Sequence, residues 1–207
     1  MSAGDHLVTT VEQLEALYGE RKPTTIRKEV NRLSTGYRKL IEAAPYVVVA
    51  TAGPEGLDCS PKGDPAGFVR ILDDRTLAIP DRPGNNRLDG YRNIVRDPRV
   101  SLLFLIPGVG ESLRVNGRGS ISVDPDLMQG FAINGKLPRS VLIVHIDSVF
   151  FHCSKAAVRA KLWDEASRVD RKSLPSTGSL LAELTAGELG GEPYDRAMPE
   201  RVKAELY

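Results

Sequence analysis

Residues 77–104, LAIPDRPGNNRLDGYRNIVRDPRVSLLF, decide how the chain is read. The pattern runs strand, polar turn, short amphipathic helix, strand. Its turn, Asp81-Arg82-Pro83-Gly84-Asn85-Asn86-Arg87, gathers two guanidinium groups and two amides where a helix begins. The first turn of a helix has backbone N–H groups with no partner inside the helix and carries partial positive charge, so it favours an anion. Arginine adds a planar fork of donors that matches phosphate oxygens. These residues point to a phosphorylated ligand held at the turn. The same residues also allow a solvated loop whose arginines pair with Asp81 and Asp89.

Working outward, Leu88, Tyr91 and Val95 are expected to form one apolar stripe on the helix after the turn. Upstream, the β-branched run YVVVATA at 46–52 predicts a buried strand, and GPEG at 53–56 turns the chain into a return strand over 57–60. Residues 67–72 and 76–80 flank Asp73-Asp74-Arg75 as a hairpin. Downstream, 99–106 and 112–123 read as strands around the glycine-rich turn at 107–110. Residues 140–146 and 149–152 read as two more, joined near Asp147-Ser148, with a short helix opened by Asp124-Pro125 before them. Strands this close together, with few helices between them, argue for an antiparallel barrel; a parallel doubly wound sheet needs a helix in nearly every connection.

The N-terminal region is helical in pattern. Thr10-Val11-Glu12-Gln13 fits a capping box, Pro23-Thr24-Thr25 opens a second helix, and a third carries Tyr37, Leu40 and Ile41 before Pro45 ends it. The expected organisation is a helical segment over 1–44, a barrel over 45–165 and a helical, irregular tail over 166–207, together one structural domain.

Three further clusters could carry chemistry. Ser60 and Lys62 lie two apart, so on a strand they share a face and offer a hydroxyl and an ammonium to a phosphate; a kinked edge strand with an exposed lysine is the plainer reading. Ser112, Arg114 and Asn116 alternate with Leu113 and Val115, which makes a polar row, either the wet face of a barrel strand or a set of hydrogen-bonding groups for a planar heterocycle. Lys155, Arg159 and Trp163 recur every four residues and share a helical face, suited to a flat anion or to simple docking through Trp163. No catalytic residue can be assigned: Cys153 has no base nearby in sequence, and His145 and His152 are not at metal-ligand spacing, so no metal is expected.

Composition narrows the classes. The chain has 207 residues, 41% hydrophobic and 27% charged, with a net charge of +1 spread among acids, which argues against a nucleic-acid partner. No apolar run is long enough to span a membrane, and the first ten residues have neither a basic nor an apolar signal region. Two cysteines, Cys59 and Cys153, make no disulfide framework, so two reduced thiols in the cytoplasm are expected.

On NIVRDPRVSLLF, SPKGDPAGFVRILDDRTLAIPDRPGNNR, ESLRVNGRGSI and FHCSKAAVRAKLW, the chain resembles the pyridoxamine 5′-phosphate oxidase-like, FMN-binding split-barrel family, over about residues 35–165. It looks most like a branch of FMN-dependent enzymes of the oxidase class with no settled substrate. The resemblance implies a mainly β, six-stranded antiparallel split barrel with flanking helices, assembled as a homodimer. It implies FMN at the dimer interface, touched by both chains, and a flavin-dependent oxidoreductase acting on a small-molecule substrate or electron donor. Carried over by the family motif, the phosphate falls to Lys62, Ser60, Asn86 and Arg87; Ile79 and Pro80 pass the flavin; and Ser112 meets the ring. Arg82 and Asn85 of the turn, Arg114 of the polar row, and Lys155 and Arg159 of the late helix complete the expected cofactor set. A flavin carrier or redox sensor without catalysis, and a split barrel using deazaflavin or haem, are the alternatives; Lys62 and Arg87 favour a phosphate-bearing flavin over haem.

Overall fold

The structure is a computed structural model that describes residues 6–206. Three helices, α1 (Val11–Tyr18), α2 (Pro23–Arg27) and α3 (Thr35–Ala43), precede the sheet. The strands are β1 (Tyr46–Gly53), β2 (Gly56–Gly63), β3 (Arg70–Ile71), β4 (Thr76–Pro80), β5 (Arg99–Leu105), β6 (Ser112–Ser122) and β7 (Val141–His152). Helix α4 (Asp89–Arg96) joins β4 to β5 and α5 (Pro125–Gly130) joins β6 to β7, while α6 (Lys155–Ala160), α7 (Thr177–Leu184) and α8 (Gly191–Leu206) follow. The starts of α1, α3 and α5 are set by side-chain caps. The Oγ1 of Thr10, the Oγ of Ser34 and the carboxylate of Asp124 accept from the backbone N–H groups of Gln13, Tyr37 and Leu127.

All neighbouring strands are antiparallel, in the order β2-β1-β5-β6-β7-β4-β3. The sheet therefore has seven strands where six were expected. The seventh is β3, a two-residue arm of the 73–75 hairpin that pairs only Arg70 with Ala78 and Ile71 with Leu77. In a flat sheet, β2 and β4 would stand five strand spacings, about 24 Å, apart. Yet Lys62 at the end of β2 meets Asp81 just beyond β4 at 2.6 Å, and Arg82 meets Asp64 at 2.8 Å. The sheet curls until its two ends touch, and the seam closes through side-chain ion pairs.

The curl wraps one core. Val47 and Val49 of β1, Leu77 and Ile79 of β4, Leu102 and Phe104 of β5, Leu113 and Val115 of β6, and Val144 and Ile146 of β7 all belong to it, joined by Leu33 and Ile41 from the N-terminal region. Strands β1, β5 and β6 alternate buried and half-buried positions along their length. Two local expectations are corrected. Residues 140–146 and 149–152 are parts of one strand; Asp147 is the extra residue of a β-bulge, opposite the step where Asn116 pairs with Ser148 and Gly117 with Ile146. On α4 the buried residues are Asn93 and Ile94, while Val95 is 77% exposed. The helix starts at Asp89, and Asn93 turns inward because its amide donates to Thr51 Oγ1 at 3.2 Å.

Outside the barrel, α1 and α2 bury no residue and leave Leu14, Leu17 and Ile26 exposed. The chain then binds back to the barrel through the bridge between Val30 and Val149. Helices α7 and α8 pack mainly on each other. Among the described residues no helix is long and apolar enough to cross a membrane.

Candidate functional site

The seam holds the first candidate site. A small cavity of about 110 Å³ opens between β2, the loop after β4 and the start of α4. Ser60, Lys62, Arg82, Asn85, Asn86 and Arg87 line it, together with Asp58, Asp81, Tyr91 and Arg139. A wider space of about 440 Å³ shares Ser60, Lys62, Arg82, Asn85 and Arg87 with it and adds Phe68 and Pro80. The first is below the size that encloses a drug-sized ligand, while the second is within that range. An ionic head in the small cavity with a larger body in the wide one matches the two volumes.

Local structure explains this convergence. On β2 the half-buried positions are Asp58, Ser60 and Lys62, spaced by two, so one face of this edge strand serves the cavity and the other is exposed. The loop after β4 carries Asn86 in the left-handed region (φ 57), and the Arg87 N–H donates to Asn85 Oδ1 at 3.0 Å, a tight polar turn that presents its side chains together. Gly90 in the first turn of α4 lets Asp58 come close, because a Cβ there would lie 2.6 Å from Asp58 Oδ2.

The charges in this cavity are largely engaged. Lys62 Nζ donates to Asp81 and stands 4.9 Å from the centre of the Tyr91 ring. Arg82 Nε donates to Asp64, whose side chain is 1% exposed. Arg87 Nε donates to Asp89 Oδ2 at 2.6 Å. Arg139 donates to the Asn86 side chain, and Ser60 Oγ donates to Asp58 Oδ2 at 2.7 Å. Tyr91 Oη is buried and makes no hydrogen bond of normal geometry, although Asp81 and Ser140 are near it. Burial first, then the Asp81 charge, pushes the phenol well above its ordinary value, so it remains a donor.

The solvated-loop arrangement is half right. Arg87 does pair with Asp89, but Arg82 reaches back to Asp64, and Asp81 takes Lys62. Ile79, expected beside the cofactor, is 1% exposed and belongs to the core. Its neighbour Pro80 reaches the wider space.

Ser112, Arg114, Lys155 and Arg159 are brought together, but elsewhere. They line a second groove of about 510 Å³ between the start of β6, the end of β7 and α6, with Leu103, Leu105, His152 and Trp163. Trp163 is held there by its indole N–H, which donates to Val109 O at 2.7 Å. Arg114 lies 5.2 Å from the centre of the Phe150 ring. Within one protomer the expected cofactor residues thus fall into two sites.

Sequence reasoning missed Asp58, Thr51 and Arg139. Asp58 was within reach, since it shares the β2 face with Ser60 and Lys62. Arg139 comes from the loop before β7, 53 residues from its partner Asn86, and nothing local marks it.

Residues 33–153, more than half of the chain, match the family model for pyridoxamine 5′-phosphate oxidase. The chain belongs to this family. The match covers the whole barrel and both cavities of the seam, with Arg139 included. No curated protein sequence matches the chain. Among solved structures, HupZ of Group A Streptococcus is 20% identical over 57% of this chain and 93% of its own, with a TM-score of 0.45. An FMN-binding protein of Syntrophomonas wolfei is 13% identical over 69% of this chain and 97% of its own, with a TM-score of 0.43. An F420 reductase is 21% identical over 58% of this chain and 98% of its own, with a TM-score of 0.41. These likenesses are loose, and family membership rests on the sequence match.

Proposed function

We propose that the protein is an FMN-dependent oxidoreductase that works as a homodimer in the cytoplasm. The observation that carries this reading is the seam cavity. Lys62, Arg82, Arg87 and Arg139 surround a space of about 110 Å³, with the Ser60 hydroxyl and the buried Tyr91 phenol beside them. A phosphate ester fits this donor set. Lys62 and Arg139 would hold its charge, Ser60 and Tyr91 would donate hydrogen bonds, and Arg87 would close the open side. Asp58 and Asp81 also line the cavity, so a bound phosphate must take Lys62 over from Asp81 at least in part. Once bound, the flavin supplies two-electron transfer between an electron donor and a small-molecule substrate.

The chain's own residues bind and orient. The wider space beside Phe68 and Pro80 receives the body of the cofactor and keeps water from one side of it. Ser112 and Arg114 lie too far round the barrel to share that space within one protomer, being in the separate groove. A second copy would bring its own Ser112 and Arg114 against the ring, which is why the homodimer is part of the proposal. The two exposed cysteines are free thiols, which fits a reducing compartment.

The test is to titrate the purified protein with FMN and with riboflavin while recording absorption and flavin fluorescence. We expect saturable FMN binding with at least about tenfold weaker riboflavin binding, since riboflavin lacks the group that the seam cations hold. Equal affinities would remove the phosphate from the seam. A deazaflavin or Soret-type haem spectrum in protein as purified would replace FMN. Bleaching of bound flavin by a nicotinamide donor would support the enzyme, and no bleaching by any donor would leave a carrier.

A further inference from the structure

Tyr91 Oη is one of two buried side-chain polar atoms that have no hydrogen-bond partner among the described residues. Such atoms are rare in native proteins, and each calls for a partner that arrives later or is missing. The phenol stands on α4 where three other segments meet. Lys62 of β2 holds its ammonium 4.9 Å from the ring centre, while Asp81 and Ser140 lie near the hydroxyl. The ring thus has a cation at its face and a carboxylate near its polar end. Burial keeps the phenol protonated, so it has one hydrogen bond to give.

Asp81 is fixed from behind. Its N–H donates to Ser140 O at 2.9 Å, and the Arg139 N–H donates to Asp81 O at 3.1 Å. The carboxylate therefore stays beside the phenol when the long, flexible Lys62 side chain turns away. A phosphate ester in the seam needs that turn, because Lys62 Nζ is spent on Asp81 at 2.6 Å without it. Asp81 is only 15% exposed, and a carboxylate left there with no donor is costly. The neighbouring cations are engaged: Arg82 donates to Asp64 and to Phe131 O, and Arg139 donates to the Asn86 side chain. The Tyr91 hydroxyl has no other bond to give up.

We propose that Tyr91 is the positioning residue of a partner exchange: when a phosphate ester draws Lys62 off Asp81, the Tyr91 hydroxyl takes over the Asp81 carboxylate, which makes Tyr91 a determinant of the preference for a phosphorylated over an unphosphorylated flavin. The inference rests on the phosphate reading above. No proton changes hands; one donor replaces another on the same carboxylate. A ligand without a phosphate leaves Lys62 where it is and gains nothing from Tyr91.

The test measures FMN and riboflavin dissociation constants by flavin fluorescence on the full-length wild type, Tyr91→Phe, Asp81→Asn and the double variant. Phenylalanine keeps the ring under Lys62 and removes only the hydroxyl. Tyr91→Phe should weaken FMN about tenfold and leave riboflavin within about twofold. In the Asp81→Asn background no carboxylate waits for a partner, so the same change should alter FMN by less than about twofold. Ligand-free Tyr91→Phe should keep the wild-type urea midpoint, because the deleted hydroxyl bonds to nothing there.

Unchanged FMN affinity in Tyr91→Phe would overturn the proposal. So would an equal loss in both Asp81 backgrounds, which puts the phenol on the phosphate itself, or an equal loss of FMN and riboflavin, which makes the effect one of packing. A lower urea midpoint for ligand-free Tyr91→Phe would show the hydroxyl already bonded and overturn it too. The wild type separates the two readings. Similar FMN and riboflavin affinities there defeat the phosphate reading and this inference together, whereas a preference for FMN that survives Tyr91→Phe intact defeats this inference alone.

Discussion

At the barrel seam, Lys62, Arg82 and Arg87 each have a carboxylate within 2.8 Å, while in the β6–α6 groove Arg114, Lys155 and Arg159 have no ion-pair partner among the described residues. Both regions are cationic on a sequence count, yet they differ in what a ligand must do. At the seam an anion has to exchange places with Asp81 or Asp89, so affinity there is a difference between two salt bridges. In the groove an anion meets charges held only by packing and by the Phe150 ring. Cation content alone therefore does not rank two candidate anion sites; the acids already paired with those cations do.

The largest effect that would sharpen this comparison is on stability. Asp64 is almost fully buried against Arg82, so Arg82→Ala would take the guanidinium away from a buried carboxylate in the seam. Breaking a buried pair from one side costs about 3–5 kcal/mol, and urea denaturation should show a loss of that order. The matching groove variant, Arg159→Ala, sits on an exposed side chain and should move the urea midpoint very little. Equal losses in the two variants would erase the distinction.

Next comes FMN affinity. Lys62→Met should weaken FMN about ten- to a hundredfold, because it removes a half-buried cation and leaves Asp81 facing the phosphate. Arg87→Ala should cost less, about fivefold, since that side chain is 77% exposed and already turned to Asp89. Asp81→Asn should act in the opposite direction and tighten FMN about fivefold by releasing Lys62. Flavin fluorescence titrations would check all three, and weaker FMN binding in Asp81→Asn would show that Asp81 positions Lys62 and does not compete with the phosphate.

A smaller effect is expected from salt. The screening length falls from about 10 Å at 0.1 M to about 3 Å at 1 M, and exposed unpaired charges feel this more than half-buried pairs. Between these salt concentrations, oxyanion binding in the groove should weaken by a larger factor than FMN binding at the seam.

The smallest effect concerns pH. His152 has a lowered pKa in the folded protein, through burial first and then Arg114 and Lys28. Below about pH 6.5 the unfolded chain takes up a proton on this ring that the folded chain refuses until lower pH. Stability should therefore fall as pH drops through about 6.5, and His152→Gln should remove part of that slope. Melting temperatures between pH 5 and pH 7.5 would show it, and identical slopes in both proteins would place the imidazole in an ordinary environment.

The sequence made some of this legible and hid the rest for identifiable reasons. The β-branched run of β1, the alternation of β6 and the shared face of Ser60 and Lys62 follow from a period of two and are visible in any window of ten residues. The seam pairs are not local: Lys62 and Asp81 are 19 residues apart, and Asp64 and Arg82 are 18 apart. Only the curl of the sheet makes them neighbours. On α4 the apolar stripe misled because a polar residue, Asn93, holds a core-facing position by its bond to Thr51. Ile79 illustrates a further limit. A family role carried over to a strand end names the strand, but the pleat decides which of two adjacent residues lines the wider space beside it, and here Pro80 does while Ile79 packs in the core.

The bulge at Asp147 has a consequence for how the gene can vary. Before it, the barrel-core residues of β7 are the even-numbered Leu142, Val144 and Ile146; after it, the buried residue is the odd-numbered Val149. One inserted residue works as a frame shift within a single strand, swapping which parity faces the core. Deleting Asp147 would send Val149 outward and turn Phe150 and His152 toward the interior, dismantling the groove from a position that does not line it. Substitutions at this exposed site are cheap in packing terms, whereas a change in length there is not. Across relatives of this chain, the spacing between Ile146 and Val149 should vary less than the identities of the residues that fill it.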